Sequence, residues 1–146
     1  MQFRKIASYD YEEWKILWDG YLSFYKTSVD ESVSIETFRR LISENEPMYG
    51  LLAENAGAII GLVHFVFHRS TCTKGNYCYL QDLFVSPEAR KQGVGRTLIE
   101  KVYDNANENG CSRVYWLTQE NNYQARTVYD RVAERTDSIQ YRKFFS

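Results

Sequence analysis

The stretch YLQDLFVSPEARKQGVGRTLIEKVY, Tyr79 to Tyr103, joins a strand, a turn, a basic loop and a helix around two glycines. β-Branched and aromatic residues carry a strand from about Tyr77 to Val85, and Ser86-Pro87 ends it, because proline has no N–H to give to a ladder. Arg90-Lys91-Gln92 leads to Gly93 and Gly95, which open a helix bearing Leu98, Ile99, Val102, Tyr103 and Ala106 and stopping at Gly110. Amides in the first turn of a helix lack an intrahelical acceptor and sit at the positive end of its dipole, so this corner suits a phosphate. Glycine lets an anion approach the backbone closely. The spacing excludes a Walker loop, which needs GxxxxGK[ST], and a dinucleotide fingerprint, which needs a glycine where Leu98 stands. On spacing alone, two glycines shaping a loop, with Arg90, Lys91 and Arg96 on a solvated face, account for the same residues.

Outward from this stretch the chain alternates in character. Phe3 to Ala7 reads as a strand, and Trp14, Leu17, Trp18, Tyr21, Leu22 and Tyr25 recur at helical spacing. A second helix is expected from Ser34 as N-cap through Ile35, Phe38, Leu41 and Ile42, with Pro47 soon after. Tyr49 to Glu54 and Ala58 to Arg69 read as strands of a hairpin around Asn55-Ala56-Gly57, and polar Ser70 to Asn76 turns into the strand ending at Val85. Arg113 to Thr118 is expected as a strand, Asn122 to about Ala133 as a helix, and Ile139 to Phe145 as a closing strand. The order β-α-α-β-β-β-α-β-α-β describes one α/β domain over residues 1–146, with a mixed, mostly antiparallel sheet flanked by helices.

Bulk properties narrow the partners. A chain of 146 residues can bury roughly two-thirds of its unfolded surface in one core. A formal net charge of -1 argues against a nucleic-acid partner, which would call for a basic excess. Cys72, Cys78 and Cys111 are odd in number with no CxxC pair, so no disulfide framework or metal site is expected, and a cytoplasmic setting follows. The longest apolar segment, Ala58 to Phe67, is broken by Gly61 and His64, and the N-terminus has no stretch of signal-peptide length, so no membrane partner is expected.

The pattern R-x-x-G-x-G at Arg90, Gly93 and Gly95, following Leu80-Gln81-Asp82-Leu83-Phe84-Val85 and Ser86-Pro87, resembles the acetyl-CoA-binding motif of the GNAT N-acetyltransferase superfamily. The segment N-Y-Q-A-R-T-V-Y, Asn122 to Tyr129, placed after the strand Val114 to Leu117, resembles the family's second block, and the element order agrees over nearly the whole chain. Tyr79 to Val85 and the ending Ile139-Gln140-Tyr141-Arg142-Lys143 are similar to the histone-and-polyamine acetyltransferase-like branch.

The resemblance implies roles. Acetyl-CoA is the implied cosubstrate, with no metal. The backbone of Leu83, Phe84 and Val85 would pair with the pantetheine arm as a strand pairs with a peptide. Arg90, Lys91, Gln92, Gly93, Val94, Gly95 and Arg96 would cradle the pyrophosphate, and Asn122 and Ala125 would flank the cofactor. Tyr129, two helical turns after Asn122, would give its phenolic proton to the departing thiolate. Direct attack in a ternary complex is implied, with the amine as nucleophile. An amine of pKa ~10.4 must lose a proton first, at a cost of about 4.6 kcal/mol at neutral pH unless the site helps. Relatives acting on polyamines carry an acidic residue at the position of Gln81, an amide that cannot accept the proton as a carboxylate does; Asp82 is the neighbouring alternative. In a regular strand Asp82 and Gln81 point to opposite faces, and a β-bulge alters this.

For the acceptor, Gln81 and Tyr25 are candidate contacts, Tyr25 as part of an aromatic and acidic rim with Tyr21, Phe24, Asp30, Glu31 and Glu36; a plain amphipathic helix explains the same residues. His64 and His68 share a strand face, where histidine is more often packed than catalytic. Cys111 lacks the electropositive setting of a reactive thiolate. Polyamines, amino acids, aminoglycosides and protein lysines are all open as acceptors, and homodimerisation through the C-terminal strands is expected, as in relatives. A non-catalytic acetyl-CoA sensor or partner-binding module is the competing reading.

Overall fold

The structure is a computed structural model describing residues 1–145. Strand β1, Gln2–Lys5, is followed by a turn of 3-10 helix at Ser8–Asp10, then by α1, Tyr11–Phe24, and α2, Glu31–Ile42. Three strands come next: β2 Met48–Asn55, β3 Ala58–His68 and β4 Tyr77–Val85. They lead to α3 Val94–Glu108, β5 Arg113–Tyr115 and α4 Tyr123–Val132. The sheet order is β1-β2-β3-β4-β5, antiparallel except for the parallel pair β4–β5. The β2–β3 turn places Ala56 and Gly57 at φ of 52° and 82°. Two left-handed residues in a row suit the tight hairpin that their neighbours require.

Each sheet face carries its own core. On one face Leu52, Leu62 and Phe84 meet Trp14, Leu17, Trp18 and Leu22 of α1 and Phe38 and Leu41 of α2. On the other, Val63, Phe65, Cys78 and Leu80 meet Val94, Leu98, Ile99, Val102 and Ala106 of α3. The apolar spacing of all three helices is the periodicity that buries one stripe.

Three expectations are corrected. Ser34 does not cap α2; Asp30 does, its carboxylate accepting from the Ser32 amide at 3.1 Å. Ser34 is buried one turn inside the helix, where its hydroxyl accepts from Trp18 Nε1 at 3.0 Å, a bond that satisfies an indole N–H held in the core. The expected closing strand Ile139–Phe145 is not formed: this segment has no ladder partner among the described residues, and Ile139, Tyr141, Phe144 and Phe145 stand exposed. A strand needs a neighbouring edge to satisfy its backbone. β5 is also shorter than expected, ending at Tyr115 rather than Thr118.

The start of the chain is clasped by charge. Arg4 donates to Asp10 through two nitrogens, at 2.8 and 2.9 Å, and to Glu54 at 2.8 Å, while the Ala7 amide donates to Asp10 at 2.7 Å. Arg4 above all, and then the Ala7 amide, hold the Asp10 carboxyl below its ordinary range against the opposing effect of burial. A depressed folded value stabilises the fold above the unfolded pKa and is lost as pH falls through the folded one. Asp10→Ala should therefore cost about 3 kcal/mol at pH 7, as breaking a buried pair does. In urea titrations the gap from wild type should close as the pH is taken below 4, the range in which the wild-type carboxyl protonates.

Candidate active site

The site forms where β4 and β5 part. They pair at Tyr77–Arg113, Cys78–Val114 and Tyr79–Tyr115; beyond Tyr79 the β5-side edge of β4 has no strand partner among the described residues. The backbone of Leu83, Phe84 and Val85 runs along this open edge, as a strand-like ligand arm requires. Leu83 and Val85 pack toward α3 and Phe84 is buried against α1.

At the far end of the opening lies the loop before α3. Lys91 and Gly93 have φ of 65° and 77°, and the amides of Val94, Gly95 and Arg96 begin the helix with no carbonyl four residues back inside it. A Cβ on Gly93 would meet nothing within 4 Å, so the space in front of these amides is open. Buried Val94 anchors the turn, while Lys91, Gln92 and Arg96 are exposed, Arg96 pairing with Glu100 at 3.2 Å. This corner fits a pyrophosphate. The Arg90 side chain turns to the α1 side instead: its Nε donates to the Val85 carbonyl at 3.1 Å, and its guanidinium lies 5.2 Å from the Phe24 ring and 5.4 Å from that of Phe84.

Across the opening, α4 presents Asn122, Ala125 and Tyr129 on one half-buried face. Asn122 is the N-cap, and its side chain lies beside the Tyr25 phenol at the end of α1. Phe24, Tyr25, Lys26, Gln119, Asn121 and Asn122 enclose a cavity of about 290 Å³ there. A larger hollow of about 470 Å³ lies between α1 and the β2–β3 hairpin, with Glu13 and Glu88 among its lining and neither Tyr25 nor Asn122. Tyr129 packs edge-on against Trp116, with centroids 5.4 Å apart, and burial, with a lesser effect of Tyr25, pushes its phenol up to about 12.

The β4 register decides which face the Asp82 carboxylate takes. His64 pairs with Asp82 and Phe65 with Leu80, so Gln81 is the extra residue of a β-bulge. Leu80 and Leu83 both pack toward α3, whereas Asp82 faces the α1 side, where Tyr21 lies beside it. A regular strand would place Asp82 on the α3 side. Gln81 itself is exposed. Burial first, and the Asp82 carboxylate second, hold the Tyr21 phenol far above its usual value; Tyr79 is raised by the same two causes. Tyr25 is raised by burial and eased down by Asn122. The three phenols stay neutral around one carboxylate. Sequence reading placed Tyr21 and Tyr25 on a rim and left His64 as packing. His64 in fact lies 3.0 Å from Asp82 Oδ2, and the bulge, which the sequence reading allowed for but did not assign, brings the two to the same face. Cys111 is half-buried with its thiol raised by burial, and no group of three or more metal-ligating side chains occurs among the described residues.

Residues 11–133 match the model of the acetyltransferase (GNAT) family. The chain belongs to the GNAT family of acetyltransferases. It is 37% identical over 142 residues, 96% of this chain and 88% of the other, to a D-amino-acid N-acetyltransferase of Saccharomyces cerevisiae. It is 32% identical over 89 residues, 61% of this chain and 55% of the other, to the thialysine N-epsilon-acetyltransferase of Caenorhabditis elegans. A probable acetyltransferase of known structure shares the fold with a TM-score of 0.88 at 21% identity, covering 100% of this chain and 99% of that one. An aminoglycoside N-acetyltransferase in complex with CoA superposes with a TM-score of 0.78 at 22% identity, over 97% and 93% of the two chains. This GNAT protein is an N-acyltransferase with the family's use of acetyl-CoA.

The open space at Gly93 permits a direct test of the anion corner. Gly93→Ala meets no side chain, so its cost to the fold is the left-handed backbone alone, about 1–2 kcal/mol. Its methyl group should weaken CoA binding in calorimetry by about tenfold, through closer crowding of the first-turn amides.

Proposed function

We propose that this protein acetylates the primary amine of a small molecule by direct attack within a ternary complex, with Asp82 receiving the acceptor and Tyr129 acting as proton donor. The observation that carries this reading is the bulge at Gln81, which turns Asp82 toward Tyr21, Tyr25 and Tyr79 where β4 and β5 part. Acetyl-CoA supplies the activated acetyl thioester. The chain's own residues do the rest. The Asp82 carboxylate attracts the ammonium and takes up its proton, and the neutral phenols around it offer π faces and hydroxyls to a cation. Tyr25, at the end of α1, contacts the acceptor, and exposed Gln81 borders its path. Backbone amides along Leu83 to Val85 orient the arm and the reacting carbonyl. Tyr129, with its phenol at about 12, stays protonated through the physiological range and can donate to a thiolate.

The D-amino-acid and thialysine acetyltransferases among the relatives support a small amine over a protein lysine, and support the branch that includes polyamine-like acceptors. The free state of Cys72, Cys78 and Cys111 supports a cytoplasmic setting. For assembly we read a homodimer: β5 ends the sheet with an open edge, and the exposed Ile139, Tyr141, Phe144 and Phe145 belong to a segment with strand-like composition. Sedimentation should give twice the 17.2 kDa chain mass, and removal of residues 136–146 should return a monomer; a full-length monomer at micromolar concentration would count against the dimer.

A CoA-release assay with acetyl-CoA tests the function against D- and L-amino acids, thialysine, spermidine, an aminoglycoside and a lysine-rich peptide. Release stimulated by a small amine is expected; stimulation by the peptide alone would reverse the choice of acceptor. Tyr129→Phe should lower kcat by ~10²-fold with CoA affinity nearly intact. Wild-type activity should show no alkaline decline from this phenol below about pH 11, as the raised value requires.

A further inference from the structure

His64 lies in the middle of β3 on the α1 side and is 3% exposed. Both ring nitrogens are engaged. Nε2 is 3.0 Å from Nε1 of Trp14, and Nδ1 is 3.0 Å from Oδ2 of Asp82. An indole N–H can only donate, so Nε2 must be the unprotonated acceptor, and the single proton of the neutral ring sits on Nδ1, facing Asp82. A proton on Nε2 would set N–H against N–H in a buried site, so Trp14 selects the Nδ1–H tautomer. Trp14 is fully buried, and its indole is stacked on that of Trp18 with centroids 5.7 Å apart, so it cannot turn aside.

We propose that His64 is a positioning residue for the acceptor: held by Trp14 as the neutral Nδ1–H tautomer, it aims the Asp82 carboxylate at the incoming amine and takes no proton itself. The groups facing Asp82 are Tyr21 and Tyr25 from α1, Tyr79 from its own strand and His64 from β3. His64 fixes one carboxylate oxygen and the Tyr21 hydroxyl bonds to the same carboxylate, and the lone pairs that remain are available to an ammonium group. A proton released by the acceptor can rest on Asp82 but cannot pass to Nδ1, which already carries one. The arrangement therefore resembles the orienting half of a catalytic relay without its proton carrier. The inference rests on Asp82 as the acceptor's anchor.

Two measurements test it. In ¹⁵N spectra of histidine-labelled protein, His64 should show the Nδ1–H tautomer with Nε2 unprotonated; the chain has only two histidines, and a His68→Asn variant assigns them. An Nε2–H tautomer would overturn the proposal. In kinetics, His64→Asn keeps an N–H donor near the Nδ1 position, whereas His64→Gln offers an amide near Nε2 and leaves Asp82 without its donor. The Gln variant should raise KM for the amine about tenfold, the scale of one lost hydrogen bond to a charged group, with KM for acetyl-CoA unchanged and most of the loss recovered in the Asn variant. Equal impairment of both variants, or none in either, overturns the positioning role. Asp82→Asn separates the two readings: an unchanged KM for the amine removes Asp82 as anchor, while the tautomer of His64 stands on its own spectrum.

Discussion

The structure turns on the parting of β4 from β5 after three paired residues. Up to Tyr79 the sheet is continuous and both faces are packed; past it, β4 keeps β3 on one side and leaves its other edge unpaired. Unpaired backbone groups of a central strand are costly to bury, so such an opening persists only where a ligand or solvent reaches it. The two cores hold the opening rigid. Leu83 and Val85 are fastened to the α3 side and Phe84 to the α1 side, so the strand that lines the cleft is gripped from both faces.

Within that strand a single inserted residue redistributes the chemistry. The bulge at Gln81 lets Leu80 and Leu83 serve the same core while Asp82 crosses to the opposite face, to His64 and Tyr21. The carboxylate is thus mounted on a strand but oriented by groups from β3 and α1, giving it the support of three elements. Precise placement of a reacting group needs such second contacts, because a side chain held by its own backbone alone samples several rotamers.

Much of this was legible in the sequence. The strand Tyr77–Val85, the glycine-flanked loop and the stop at Gly110 are stated by residue types whose backbone requirements are local. The hairpin around Asn55-Ala56-Gly57 was legible for the same reason, although Asn55 belongs to β2 and the turn itself is Ala56-Gly57. What escaped depends on contacts between distant positions. Ser34 has the side chain of an N-cap, yet Trp18 claims it from another helix. Asp82 and Gln81 look alike in any local pattern, and only the pairing register tells which one turns inward. Ile139 to Phe145 has strand composition, but composition does not say whether an edge is within reach. His64 had the appearance of packing because its two partners lie 50 residues before and 18 residues after it.

The distribution of indoles has an optical consequence. Trp14 and Trp18 sit beside His64 on the α1 side, while Trp116 meets Tyr129 on the α4 side. Intrinsic emission of this chain therefore comes from two groups that straddle the cleft, one neighbouring the carboxylate and the other the phenol. Replacing Trp116 by phenylalanine leaves a fluorophore pair beside His64 alone, so changes around that ring and its Asp82 partner can be followed without any attached dye.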